Sequence, residues 1–223
     1  MPLPCSGRWF FPICFFTSSL ICGSLPEVAT AQLVQSTPLS EGSTSCSTDD
    51  LHVFIIHGWD PLDLAKLRGL KACCQSWGFS NTVLKQCYER KSICKEIAAI
   101  RACKPKARFA LIGFSAGATV AREITHDLHH CQGIDVQLLI YLGGNLLGWH
   151  KENCPPYVER VIHVRSIDDC VLAPRIQGAE MHTIAPAWHF SSPYHPKTRC
   201  LIQDSLNEII GGSTAPVPMA PAP

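Results

Sequence analysis

The stretch ALIGFSAGATVAREI, residues 110–124, sets a serine between two glycines where an apolar run gives way to a helical pattern. The run before the serine is continuous in apolar residues, as a strand buried on both faces of a parallel sheet must be. The segment after it, AGATVAREITHDLHH, reads as an Ala-rich helix. G-x-S-x-G at such a junction has a mechanical meaning. It lifts the serine hydroxyl clear of the sheet on a strained turn, glycines on either side relieve the crowding, and the first helical N–H groups face an incoming substrate. The same five residues also suit a plain tight turn with a small residue at its tip, so the surrounding chain has to decide what Ser115 does.

Outward from this turn, apolar runs alternate with helical patterns. LHVFIIHG (51–58) ends a β-branched run in a Gly turn, and PLDLAKLRGLKACCQSWGF (61–79) carries apolar residues at helical spacing with a stop at Gly78. NTVLKQ is a short strand candidate, and YERKSICKEIAAIRAC, residues 88–103, a helix ended by Lys104-Pro105. Past the elbow come DVQLLIYLGG, ERVIHVRS and the shorter AEMHTIA as strands. PKTRCLIQDSLNEII follows as an amphipathic helix with Pro196 in its first turn. This order predicts an α/β fold: a three-layer α/β/α sandwich on a mostly parallel sheet, whose ligands bind at the carboxyl ends of the strands.

The flanks read differently. Arg8 precedes WFFPICFFTSSLIC, and PEVATAQ offers an A-x-A site at Ala29 and Ala31, so residues 1–31 are expected to be a signal peptide. The alternative is an uncleaved N-terminal membrane anchor. The run is short and contains Pro12, which argues against a stable span. Residues 32–50 form a polar linker, 51–210 the folded domain, and 211–223 a Pro/Ala tail. Of the 13 cysteines, all but Cys5, Cys14 and Cys22 lie past the signal segment. An even set of that size in a small exported domain suggests disulfides and a secreted or periplasmic protein. Charged residues make up 17% of the chain with a formal charge of +1, which gives no basic surface for nucleic acid. No C-x-x-C pairs appear, and no metal or organic cofactor is implied.

A serine becomes a nucleophile only when a base takes its proton and a third group orients that base. On this architecture both partners follow the serine, acid before histidine, each just past a strand. VIHVRSIDDCVLAP supplies Asp168, favoured by its D-x-x-V setting, with Asp169 as the alternative acid; an Asp-Asp pair also suits an Asx-turn. Three histidines follow. His182 lies inside a strand and His195 directly before a helix, whereas His189, in APAWHFSSP, falls in the loop where the base belongs. The backbone N–H groups of Trp59, or Gly58, and of Ala116 are the candidates for an oxyanion hole. His57 reads as support for that turn. His126, His129 and His130 read as solvated residues at a helix end, where the dipole suits cations. Trp59, Leu146, Trp149 and Trp188 are candidate pocket residues.

HVFIIHGWDP, LIGFSAGA, HVRSIDDCVLAP and APAWHFSSPYHP, in that order, resemble an α/β-hydrolase-fold protein over Leu51–Ile210. The short segment between Leu142 and Val161 is similar to the small, lidless, cutinase-like kind. The resemblance implies a serine hydrolase in which Ser115 attacks a carbonyl, His189 acts as base and Asp168 orients it. Small-molecule or polymeric esters or thioesters are the expected substrates, with an amidase or peptidase using the same parts. The alternative of another class is a non-catalytic binding module in which Ser115 is only a turn residue.

Overall fold

The computed structural model describes residues 47–143, 154–167 and 175–211. Six strands form one sheet: β1 (Leu51–His57), β2 (Thr82–Gln86), β3 (Arg108–Phe114), β4 (Val136–Leu142), β5 (Val158–Ser166) and β6 (Glu180–Ile184). Their order is β2-β1-β3-β4-β5-β6 and every pairing is parallel. Parallel neighbours need a crossover between them. Among the described residues the helices are α1 (Leu67–Ser76), α2 (Arg90–Cys103), α3 (Ala116–Gln132) and α4 (Pro196–Ile210).

The apolar runs explain the layers. Alternate residues of each strand point to opposite faces. Val53 and Ile55 of β1, Ile112 and Phe114 of β3, and Ile140 and Leu142 of β4 join Leu67 and Leu70 of α1 and Ile202 and Leu206 of α4 in one buried cluster. Phe54 and Ile56, Phe109 and Leu111, and Leu139 and Tyr141 point the other way. They pack with Ile93 and Ile97 of α2 and Ala121, Ile124 and Leu128 of α3. The fold is therefore α/β with helices on both faces of a parallel sheet, as the sequence pattern predicts. β1 and β4 are buried along their whole length, whereas β6, at an edge, exposes Glu180 and Thr183.

One expected element is shorter than its apolar spacing suggests. The helix read from Pro61 begins only at Leu67, and Pro61–Lys66 winds through turns. Both carboxylate oxygens of Asp60 accept backbone N–H groups, from Leu64 at 2.9 Å and Ala65 at 2.8 Å, and Asp63 Oδ1 accepts from Leu67 at 2.9 Å. Those side chains offer the backbone an alternative to helical pairing. Asp63 and Lys66 both adopt a left-handed φ of 52° within this stretch.

On the other face, α2 and α3 are tied by the Arg90 guanidinium. It makes two hydrogen bonds to the Asp127 carboxylate, at 2.9 and 2.8 Å, and reaches Glu123 one turn earlier. The fork holds the Asp127 carboxyl below the usual carboxylate range.

The described cysteines contribute to packing on both faces of the sheet. Cys73, Cys74, Cys87, Cys94, Cys103, Cys131, Cys154 and Cys200 are all free thiols, with no disulfide among the described residues. They are dispersed over both faces of the sheet, and two of them serve as apolar filling: Cys74 in the α1 layer and Cys94 in the α2 layer. Burial pushes the Cys74 thiol up to about 12 and the Cys94 thiol up to about 11. Reactivity should divide accordingly, because the thiolate is the attacking species. Brief alkylation of the reduced native protein at pH 8 is expected to mark exposed Cys103, Cys131 and Cys200 and to spare Cys74 and Cys94 until denaturant is added. Peptide mass spectrometry reads the order, and native-state labelling of Cys74 at the exposed rate would show that α1 is not packed as described.

Candidate active site

From β1 the chain goes to β2 on one side and then to β3 on the other, so the strand order reverses between β1 and β3. Ligands of open α/β sheets bind outside the carboxyl ends of the strands at such a reversal. Here those two ends are His57-Gly58 and Phe114-Ser115.

Ser115 stands at the tip of the turn between β3 and α3 with φ 53° and ψ −122°. This lies outside the regions an L-residue occupies without strain, including the left-handed helical region. The glycines around it are dictated by close approach. A Cβ on Gly117 would lie 2.2 Å from the Ile56 carbonyl oxygen, and one on Gly113 would lie 2.4 Å from the Gly117 carbonyl oxygen. A Cβ on Gly58 would meet the Phe114 oxygen at 2.6 Å, Ser115 Cβ at 2.9 Å and Ala116 N at 3.2 Å. Thus the β1 turn rests directly against the serine turn. The backbone between Gly58 and Trp59 is a neighbour of the Ala116 N–H. That N–H begins α3, where helix geometry leaves it without an intrahelical acceptor. The positive end of the α3 dipole points the same way.

The structure assigns His57 the supporting part expected of it. It is buried, with Nδ1 3.1 Å from the Gly58 oxygen and Nε2 3.3 Å from Asp63 Oδ1. His57, Asp60 and Asp63 bring one ligand atom each within 4.8 Å of one another. Their oxygens already hold backbone N–H groups of the 64–67 turn, however, so the chemistry of this group is that of a loop brace. Beside it lies a cavity of about 420 Å³, lined by His57, Gly58, Trp59, Pro61, Leu84 and Tyr88. Two large side chains at its mouth face solvent, Trp59 at 87% exposed and Tyr88 at 82%. Tyr88 and Leu84 carry no signal in the sequence that would mark them as lining.

The three candidate histidines separate clearly. His195 is the N-cap of α4, its Nδ1 accepting from the Lys197 N–H at 3.2 Å. His182 sits within β6 with Nε2 2.6 Å from Glu180 Oε1. His189 lies at the carboxyl ends of the strands. Its ring packs on Phe114, the residue before the serine, with centroids 4.9 Å apart. It also covers Gly143, where an added Cβ would fall 2.8 Å from His189 Cε1 and 2.9 Å from Nδ1. Gly143 has φ 76°, and its N–H donates to the Val164 oxygen at 3.0 Å; the adjacent Leu142 oxygen accepts the Ser115 N–H at 3.0 Å. The end of β4 therefore joins the serine turn to the histidine. The histidine loop is tied internally. The Ser191 and Ser192 N–H groups donate to the Trp188 oxygen at 2.9 and 3.0 Å, and Ser192 Oγ donates to the His189 oxygen at 3.1 Å.

β5 ends at Ser166, next to β4, and the acid candidates Asp168 and Asp169 follow it in sequence. Both lie outside the described residues, as do Leu146 and Trp149; Trp188 is half exposed and does not line the cavity. No protein-family model and no curated protein matches the chain.

Two substitutions probe the turn. Ser115→Gly should raise thermal stability by about 1 kcal/mol, since glycine tolerates this φ/ψ and residues held in such regions store about 1–3 kcal/mol. Gly117→Ala should lower it by about 1–3 kcal/mol through overlap with the Ile56 carbonyl. Denaturant melts give both values, and a neutral Gly117→Ala would contradict the close approach described above.

Proposed function

We propose that the chain is a serine hydrolase of the α/β-hydrolase kind that cleaves carboxylic esters or thioesters through an acyl-enzyme on Ser115. The single observation that carries this reading is the strained Ser115 backbone at the sheet's reversal point, with His189 packed on the residue that precedes it. Strain of this sort persists where the surrounding packing over-determines it, and it concentrates at functional sites.

In the proposed reaction Ser115 Oγ attacks the substrate carbonyl carbon while His189 accepts the hydroxyl proton. The oxyanion that forms takes hydrogen bonds from the N–H groups of Ala116 and Trp59; a pair of this kind lowers the barrier by several kcal/mol, roughly 3–4 for one donor. Collapse of the tetrahedral intermediate breaks the bond to the alcohol or thiol, which leaves with the proton from His189. A water molecule then repeats the sequence and frees the carboxylic acid. Asp168 is proposed to hold His189 in the productive tautomer, with Asp169 as the alternative. The open cavity beside Gly58, rimmed by Trp59, suits the leaving group or acyl portion of an accessible ester. Export to a secreted or periplasmic setting is proposed with it, on the N-terminal segment that ends at Ala31.

A fluorophosphonate probe tests nucleophile activation without a known substrate. Stoichiometric labelling located at Ser115 by peptide mass spectrometry, abolished in Ser115→Ala and in His189→Ala, is the expected result. Replacing Asp168 and Asp169 singly by Asn should identify the acid by a loss of about 10⁴-fold in turnover. A folded protein that takes no label would leave the turn as a structural junction in a binding module.

A further inference from the structure

The carboxyl end of α3 carries THDLHHC, residues 125–131, and the fold gathers its imidazoles. His126 and His130 are four residues apart on one helix, which places them on the same face one turn apart. Their ring centroids are 4.3 Å apart and both residues are exposed. The segment entering β5 closes one side. Tyr157 presents its edge to His130, with centroids at 5.5 Å, and to His126 at 6.4 Å. It stacks on His129 at 4.5 Å. His129 is committed elsewhere, with Nδ1 2.7 Å from Asp135 Oδ1, so the pair that faces solvent together is His126 and His130.

We propose that His126 and His130 form a chelate for a divalent first-row transition ion, with solvent completing its coordination. Two histidines at i and i+4 on a helix are the spacing by which one helical face presents two nitrogens to a single ion. Imidazole is the ligand type preferred by Zn²⁺, Ni²⁺ and Cu²⁺, whereas Mg²⁺ and Ca²⁺ take oxygen. The electrostatics favour a cation. The last carbonyls of α3 form the negative end of its dipole, and the nearby Asp127 carboxylate, already paired with Arg90, is left out of the ligand set. Packing of α3 holds the two Cα positions, because Ile124 and Thr125 just before the pair and Leu128 between its members are buried. α3 has 17 residues, or about 25 Å of axis at 1.5 Å per residue, so this pair lies at the opposite end of the helix from Ser115. The site is thus independent of the serine chemistry.

Calorimetric titration of the full chain with Ni²⁺, after its accessible thiols have been alkylated, tests the proposal. One binding event per chain is expected, weakened at least about tenfold in His126→Ala and in His130→Ala, since even supporting residues at metal sites cost 10–100-fold in affinity. His182→Ala, which changes a histidine on β6, should leave it unaltered. Circular dichroism of each variant distinguishes a lost ligand from a lost fold. No binding of Ni²⁺ by the folded protein, affinity in the two α3 variants unchanged from that of the unsubstituted protein, or displacement of Ni²⁺ by millimolar Mg²⁺ would overturn the assignment. Fluorophosphonate labelling is unaffected by any of these outcomes, so this proposal and the hydrolase reading stand or fall separately.

Discussion

Backbone pressed against backbone governs this molecule. The first turn of α3 packs so close to β1 that no side-chain carbon fits at Gly117 beside the Ile56 carbonyl, nor at Gly58 beside Ser115. Two parallel strands, the helix that follows the second and the turn that follows the first are thereby brought into one junction. The unusual backbone at Ser115 is the geometric remainder of that fit. The serine cannot relax because the residues on both sides of it are fixed, by β3 pairing on one side and by α3 on the other.

A second constraint comes from β4. Its last carbonyl accepts the Ser115 N–H, and the next residue, Gly143, is the floor under the His189 ring. Gly143 needs a left-handed φ and an absent side chain at once, so two independent demands fall on one position. The loop bearing His189 is braced internally, its serines bonded to the Trp188 and His189 carbonyls.

Much of this architecture is legible in the sequence because strands buried on both faces appear as unbroken apolar runs, and the helices between them keep their apolar spacing. The G-x-S-x-G turn is legible for the same reason: it sits where one pattern changes into the other. Other features depend on contacts that no local pattern encodes. Gly117 is required by Ile56, far away in the chain, and the helix after Pro61 starts late because Asp60 and Asp63 use their carboxylates on nearby N–H groups. The apolar stripe over 61–66 is real, yet it serves a turn. Sequence order narrows the histidines to three and loop position favours His189; packing adds the partners of the other two, since His195 caps a helix and His182 joins Glu180. Tyr88 becomes part of the cavity rim through the placement of β2 at the sheet edge, which its neighbours in sequence do not announce.

The layering carries one more consequence. Ser115 opens α3, which packs on one face of the sheet with α2, whereas His189 introduces α4, which packs on the other with α1. The two turns meet at the end of β4, whose Leu142 carbonyl accepts the Ser115 N–H and whose following residue, Gly143, lies under the His189 ring. How the serine turn sits relative to the histidine loop therefore depends on the seating of a helix on each face of the sheet. Any sliding of either layer would be read out directly as misalignment of the pair, so the pair can stay in register only while both helical layers remain docked on the sheet.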